Sequence, residues 1–197
     1  MRPNTVRLIL IGCIMLAPTC AHAHAQAGDA SGFLTGFLHP LTGLDHIIAM
    51  VAVGLWGAQL GAPAIWLLPV TFPIVMAFGG FLALIGVPVP AVEIGIALSG
   101  VLLGVAVMME SRPPLFLALA VVALFAICHG HAHGVELPPA TSGLTYSIGF
   151  VVATGLLHAC GIGVGTIHRW SYGRLALRAL GGLISAGGIF FLAQAFT

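Results

Sequence analysis

Lysine is absent from this chain, and only eleven of its 197 side chains carry a formal charge: six arginines and five carboxylates. With no basic run and no basic residues interleaved with aromatics, it has no means of tracking a phosphate backbone, which excludes nucleic acid as a partner. A surface drawn from a chain only 6% charged cannot solvate a globular domain, because soluble proteins carry about a quarter charged residues. Cysteine is scarce as well. Cys13 and Cys20 lie near the N-terminus, and Cys128 and Cys160 lie inside apolar runs, so no disulfide framework is implied. Small-residue packing is their expected fate, with a soft-ligand role for Cys128, beside His129, as the alternative. There is no G-x-x-x-x-G-K-[ST] sequence, which excludes ATP hydrolysis by that route and implies no ATPase subunit.

What remains is apolar: 59% of the residues are hydrophobic and the mean hydropathy is +1.13. The chain therefore reads as an all-α, polytopic membrane protein in contact with the lipid bilayer. Arg2 and Arg7, an apolar stretch over 8–17 and small residues ending Ala21-His22-Ala23 form a signal-peptide pattern, its apolar core too short for a span. Cys20 lacks a convincing lipobox. Cleavage after Ala23 or after Ala25 suits the small-residue rule; with the boundary set at Ala23, residues 1–23 are the leader and His24 is the new N-terminus and a lesser candidate ligand. Residues 24–197 then form one domain, a compact bundle of six transmembrane helices near 40–60, 63–86, 91–109, 114–133, 142–166 and 174–195. Pro69 and Pro73 predict a kink or an opened turn in the second.

A mature N-terminus outside the membrane places the loops near 110–113 and 166–174 in the cytoplasm. Arg112, Arg169, Arg174 and Arg178 all lie in or next to them, as the positive-inside rule requires of an inner-membrane protein. Glu110, beside Arg112, is expected to pair at that edge, and His168 is given no role. The 27 glycines, several at helix-packing spacing such as Gly100 with Gly104 and Gly161 with Gly165, predict closely approaching helices.

Five of the nine histidines fall in two clusters at the outer ends of these runs: His39 with Asp45 and His46, and His129, His131 and His133 with Glu136. Imidazole and carboxylate are costly in lipid, so each is a functional hypothesis. Pro40 suits a first helical position, which would start the first span there with His39 on its N-cap side. In a regular helix His39 and His46 stand about 10 Å apart, too far to share an ion. Either Gly43 deforms the helix or the two histidines serve successive stations, with Met50 a turn further in. Asp45 is a ligand or the acceptor that fixes the His46 tautomer. His129, His133 and Glu136 form one stripe, with His131 pointing away; two imidazoles and a carboxylate suit Ni²⁺, Co²⁺ or Zn²⁺, not Mg²⁺ or Ca²⁺. Ser147, Thr154, His158, Gly161 and Gly165 form a polar, small stripe on the fifth span, and Glu93 with Ala97, Gly100 and Gly104 one on the third. His158 is a further station, a proton acceptor or a satisfied core histidine; Glu93 could add a carboxylate to the outer site.

These residues resemble the HupE/UreJ family of nickel and cobalt permeases. Its first signature, a His, five residues, then Asp-His, stands here as His39, Asp45, His46; its second, Phe-His-Gly-x-Ala/Val-His-Gly-x-Glu, stands as Cys128-His129-Gly130-His131-Ala132-His133-Gly134-Val135-Glu136. Cys128 in place of Phe is the one departure. The resemblance implies a non-enzymatic permease for Ni²⁺, with Co²⁺ second. His39, Asp45, His46, His129, His133 and Glu136 would be the required metal residues, with Glu93, His131, Met50, His158 and His24 as lesser candidates, and no cofactor would be permanently bound. An inside-negative potential favours divalent entry by about 4.6 kcal/mol per 100 mV. Rival readings are a membrane metal sensor or chaperone without transport, a haem site, and a rhomboid-like protease with a Ser99/His158 dyad.

Overall fold

The computed structural model describes residues 29–137 and 141–196; the expected leader, both cleavage positions and His24 lie outside them. Seven α-helices and one short 3₁₀ turn make up the described fold: α1 (Asp29–Thr42), α2 (Leu44–Leu60), α3 (Ala64–Leu84), α4 (Val92–Met108), α5 (Leu115–Val135), α6 (Gly143–Gly165) and α7 (Ser171–Gln194), with Thr166–Arg169 between the last two. α3, α5, α6 extended through the 3₁₀ turn, and α7 are long and apolar enough to cross a membrane. The α1–α2 pair, bent by 82°, makes a fifth candidate if it is one span, and α4 is an apolar helix of 17 residues. Their outward faces expose large apolar groups such as Trp66, Phe78, Phe116, Leu183 and Phe190. In water such a surface would aggregate, and in lipid it is the matching solvent. The chain is a multi-pass membrane protein.

The apolar runs translate into helices within a few residues of their expected bounds, with one correction at the start. Pro40 does not open the first span: it lies inside α1, in the last turn before the break. Helix α1 precedes it by more than two turns, and the chain breaks instead at Gly43, whose extended backbone (φ −92°, ψ 113°) stops one helix and starts the next. Pro40 has no N–H to give the Gly36 carbonyl, which weakens this last turn and suits a helix about to end. Pro69 and Pro73 lie inside α3, which runs as one helix of 21 residues, so the helix does not break where a kink or an opened turn is expected.

Helix α2 is the axis of the bundle. It packs against α3, α4 and α6 and is buried over most of its length, from His46 to Gln59. Close approach makes this possible: a Cβ at Gly54 would run into the His158 carbonyl of α6, and one at Gly161 into the Val51 carbonyl of α2. Gly104 and Gly181 do the same for α4 and α7, and Gly79 and Gly130 for α3 and α5. Where no hydrophobic force drives helices together, such backbone contact lets dispersion do so.

Candidate metal centre

The break at Gly43 carries His39, on α1, and His46, on α2, to the same place from two directions. The helix start is deformed, as one of the two alternatives left by the sequence has it, yet His46 stays outside the set of donors close enough to share an ion with His39. His39 Nε2 lies 3.0 Å from Glu136 Oε2, and its ring meets that of His133 edge-on at 4.7 Å between centroids. His46 touches His133 at 4.5 Å and His129 at 4.7 Å. Four imidazoles therefore form a continuous line, His39, His133, His46, His129. Their exposure falls from the partly exposed His39, with its exposed partner Glu136, to His129 at 0%.

Two carboxyl and hydroxyl partners fix which nitrogen of each inner ring is free. Asp45 Oδ1 takes both the backbone N–H of His46 and its ring Nδ1–H, each at 2.9 Å. The lone pair of His46 is thereby left on Nε2, which is buried and has no hydrogen-bond partner. Of the two roles open to Asp45, orienting acceptor is the one this geometry fills. Ser99 Oγ stands 2.6 Å from the Ile96 carbonyl, which can only accept, so the hydroxyl proton is committed there. At 2.9 Å from His129 Nε2, Ser99 must then accept, and His129 carries its lone pair on Nδ1, also buried and unpartnered. Both nitrogens of His133 are unpartnered too. Buried polar atoms are rarely left so, and here they are collected in one place.

Among the described residues, His39, His133 and Glu136 are the set whose donor atoms all lie within 4.8 Å of one another. Two nitrogens and one carboxylate oxygen at that spacing could close around a borderline divalent ion with small side-chain shifts. His133 Nδ1 is 3.8 Å from Glu136 Oε2, and Phe150 packs on the His133 ring at 4.1 Å. A cavity of about 350 Å³ opens beside His133 between α3, α5 and α6. Apart from His133, Tyr146 and Ser147 its walls are apolar, so it offers an ion few further donors.

The remaining candidates divide. His131 points away as expected, its Nε2 donating to the Val87 carbonyl at 3.0 Å. Glu93, in the first turn of α4, is exposed and stands apart from the His39, His133, Glu136 set. Met50 is fully buried in the apolar core one turn inward of His46. Thr154, His158, Gly161 and Gly165 are buried on α6 as the stripe predicts, but Ser147 is exposed and bonded to the Gly143 carbonyl. No Ser99/His158 dyad forms: Ser99 serves Ile96 and His129, while both ring nitrogens of His158 lack a hydrogen-bond partner. Ser99 as the partner of His129, and Phe72, Tyr146 and Phe150 as ring neighbours of the histidines, are features that sequence reasoning missed. They lie on different helices, and no local spacing reports them.

A family model described as HupE / UreJ protein matches residues 12–191. The chain belongs to the HupE/UreJ family. Protein HupE of Rhizobium leguminosarum bv. viciae is 43% identical over 175 residues, covering 89% of this chain and 91% of that protein. No solved structure matches. The two signatures of this HupE/UreJ chain thus meet, Asp45 of the first orienting the His46 ring that touches His129 and His133 of the second.

Proposed function

We propose that this protein is a permease that takes Ni²⁺, with Co²⁺ as second substrate, from the periplasm across the inner membrane. The observation that carries the reading is the line of four touching imidazoles, running from an exposed carboxylate to a fully buried ring, with unpartnered nitrogens along it. Six spans, a cleaved leader, and the arginine-bearing loops in the cytoplasm belong to the same reading.

His39, His133 and Glu136 capture the ion and strip part of its water. His46, through Nε2, and His129, through Nδ1, take it inward, with His133 common to both steps because its ring faces both groups. Oxygen-loving Mg²⁺ and Ca²⁺ are rejected for want of oxygen donors. Each step offers few ligands rather than a closed cage, and conduction needs binding that can be left. The ion gradient and the membrane potential suffice as driving force, with no nucleotide-driven partner and no resident cofactor. Membership of the HupE/UreJ family supports the substrate class.

The test is uptake of radiolabelled Ni²⁺ into proteoliposomes holding the purified full chain, beside His46→Ala and with Co²⁺, Zn²⁺ and Cu²⁺ as competitors. Accumulation that His46→Ala abolishes is expected, and the competition order names the metal. Binding without accumulation would instead make the protein a membrane metal sensor or chaperone.

A further inference from the structure

Beyond the outer centre, and on the cytoplasmic side of it in the orientation proposed above, α3 and α6 enclose a second group of unpartnered polar atoms. His158 is 1% exposed, and neither of its ring nitrogens has a hydrogen-bond partner. Thr154, one turn earlier on the same helix, is 0% exposed with its Oγ1 likewise unpartnered. The facing backbone supplies a third donor. In a helix the carbonyl of residue 69 accepts from the N–H of residue 73, but residue 73 is proline and has none. The Pro69 carbonyl is therefore left without its helical donor, and it faces His158 across the α3–α6 contact without forming a hydrogen bond to either ring nitrogen. Two prolines that leave α3 helical thus present one oxygen at the level of a buried imidazole.

This group does not belong to the outer cluster. Phe72, fully buried, stands between them: its ring lies 5.5 Å from that of His129 on one side and 5.5 Å from that of His158 on the other. His158 lies about 22 Å of helix rise into α6 from its start at Gly143, and its carbonyl rests on Gly54 of the central helix. The group is thus separated from the inner end of the imidazole line by one aromatic ring.

We propose that His158, Thr154 and the Pro69 carbonyl form a second, inner binding site for the same divalent transition-metal ion, reached past Phe72. The inference rests on the permease reading and deepens it. One imidazole with two neutral oxygens binds a borderline ion more weakly than several imidazoles and a carboxylate. A weaker site downstream of a stronger one is what onward release requires. The imidazole keeps the site selective, and the oxygens keep it leaky.

The test uses the purified full chain, with Co²⁺ as optical probe and radiolabelled Ni²⁺ for uptake. The parent is expected to bind two ions per chain, and His158→Ala one, with the tighter affinity unchanged and maximal uptake reduced at least tenfold at constant KM. His158→Cys should add a near-ultraviolet thiolate-to-cobalt charge-transfer band over the parent, which already carries Cys128 and Cys160. Pro73→Ala separates ligation from packing: restoring the N–H recaptures the Pro69 carbonyl, so the protein should become more heat-stable while the weaker ion is lost. It also carries the test if the histidine variants fail to fold. One ion per chain in the parent, or a second ion that survives both His158→Ala and Pro73→Ala, overturns the inner site. Two ions in the parent without uptake would sink the permease reading and leave the inner site standing.

Discussion

At the residue scale, the centre depends on which nitrogen of each imidazole holds the proton, and two neighbours decide it. Ser99 commits its hydroxyl proton to Ile96 and so accepts from His129 Nε2. In Ser99→Ala the buried Nε2–H loses its acceptor and the Nδ1 lone pair is no longer enforced. Groups that orient a metal-bound histidine typically contribute 10–100-fold in affinity. Ser99→Ala is therefore expected to weaken Ni²⁺ binding by about that factor, with the ¹⁵N shifts of His129 moving toward a mixture of tautomers. Affinity and tautomer both unchanged would assign Ser99 to packing alone. The candidate histidines were legible in the sequence because apolar runs make polar exceptions conspicuous. Ser99 was not, since a hydroxyl inside a helix is ordinarily satisfied by its own backbone, and here it does that and a second task.

At the scale of the element, the decisive feature is the turn at Gly43, which converts two histidines on one expected helix into donors on two helices bent by 82°. Its backbone angles are open to any residue, so the glycine is required by space. A Cβ there would sit 2.8 Å from Asp45 Oδ1 and 3.0 Å from His46 Nδ1, against the one hydrogen bond that sets the His46 tautomer. In Gly43→Ala the Asp45 side chain can swing aside at little cost to the fold. The expectation is a Tm within a few degrees of the parent and Ni²⁺ uptake reduced at least tenfold. A variant that transports normally would show that the Asp45–His46 pair tolerates displacement. The sequence named the candidate ligands, yet it put the start of the span at Pro40, because a proline suits the first turn of a helix and no local signal showed another helix running ahead of it.

At the scale of the whole molecule, glycines bring α2 into backbone contact with α6, α3 with α5, and α4 with α7, and so position the helices that carry the histidines and Ser99. Gly161 is the sharpest instance, because a side chain there meets the Val51 carbonyl and the Gly54 Cα, neither of which can rotate away. Gly161→Val is expected to cost about 1–3 kcal/mol or more, read as a lower Tm in detergent, and to lower metal affinity as well by parting α2 from α6. Gly155 and Gly163, with nothing near a prospective Cβ, serve as controls: Gly155→Ala should leave both quantities unchanged. A bundle indifferent to Gly161→Val would mean that α2 and α6 are held by other contacts.

The sequence by itself determined that this is a helical membrane protein, where its apolar helices run, and which side chains form the two metal-type clusters. Each of those follows from local chemistry: a charge-poor chain must be solvated by lipid, and imidazole spacing along a helix follows from its pitch. Only the tertiary structure decided that the two clusters meet, that Asp45 and Ser99 are bonded to the rings of His46 and His129, and that Phe72 touches both His129 and His158. Those are relations between helices far apart in sequence. They are settled by which glycines allow which backbones to touch, and no period or motif within one segment encodes that.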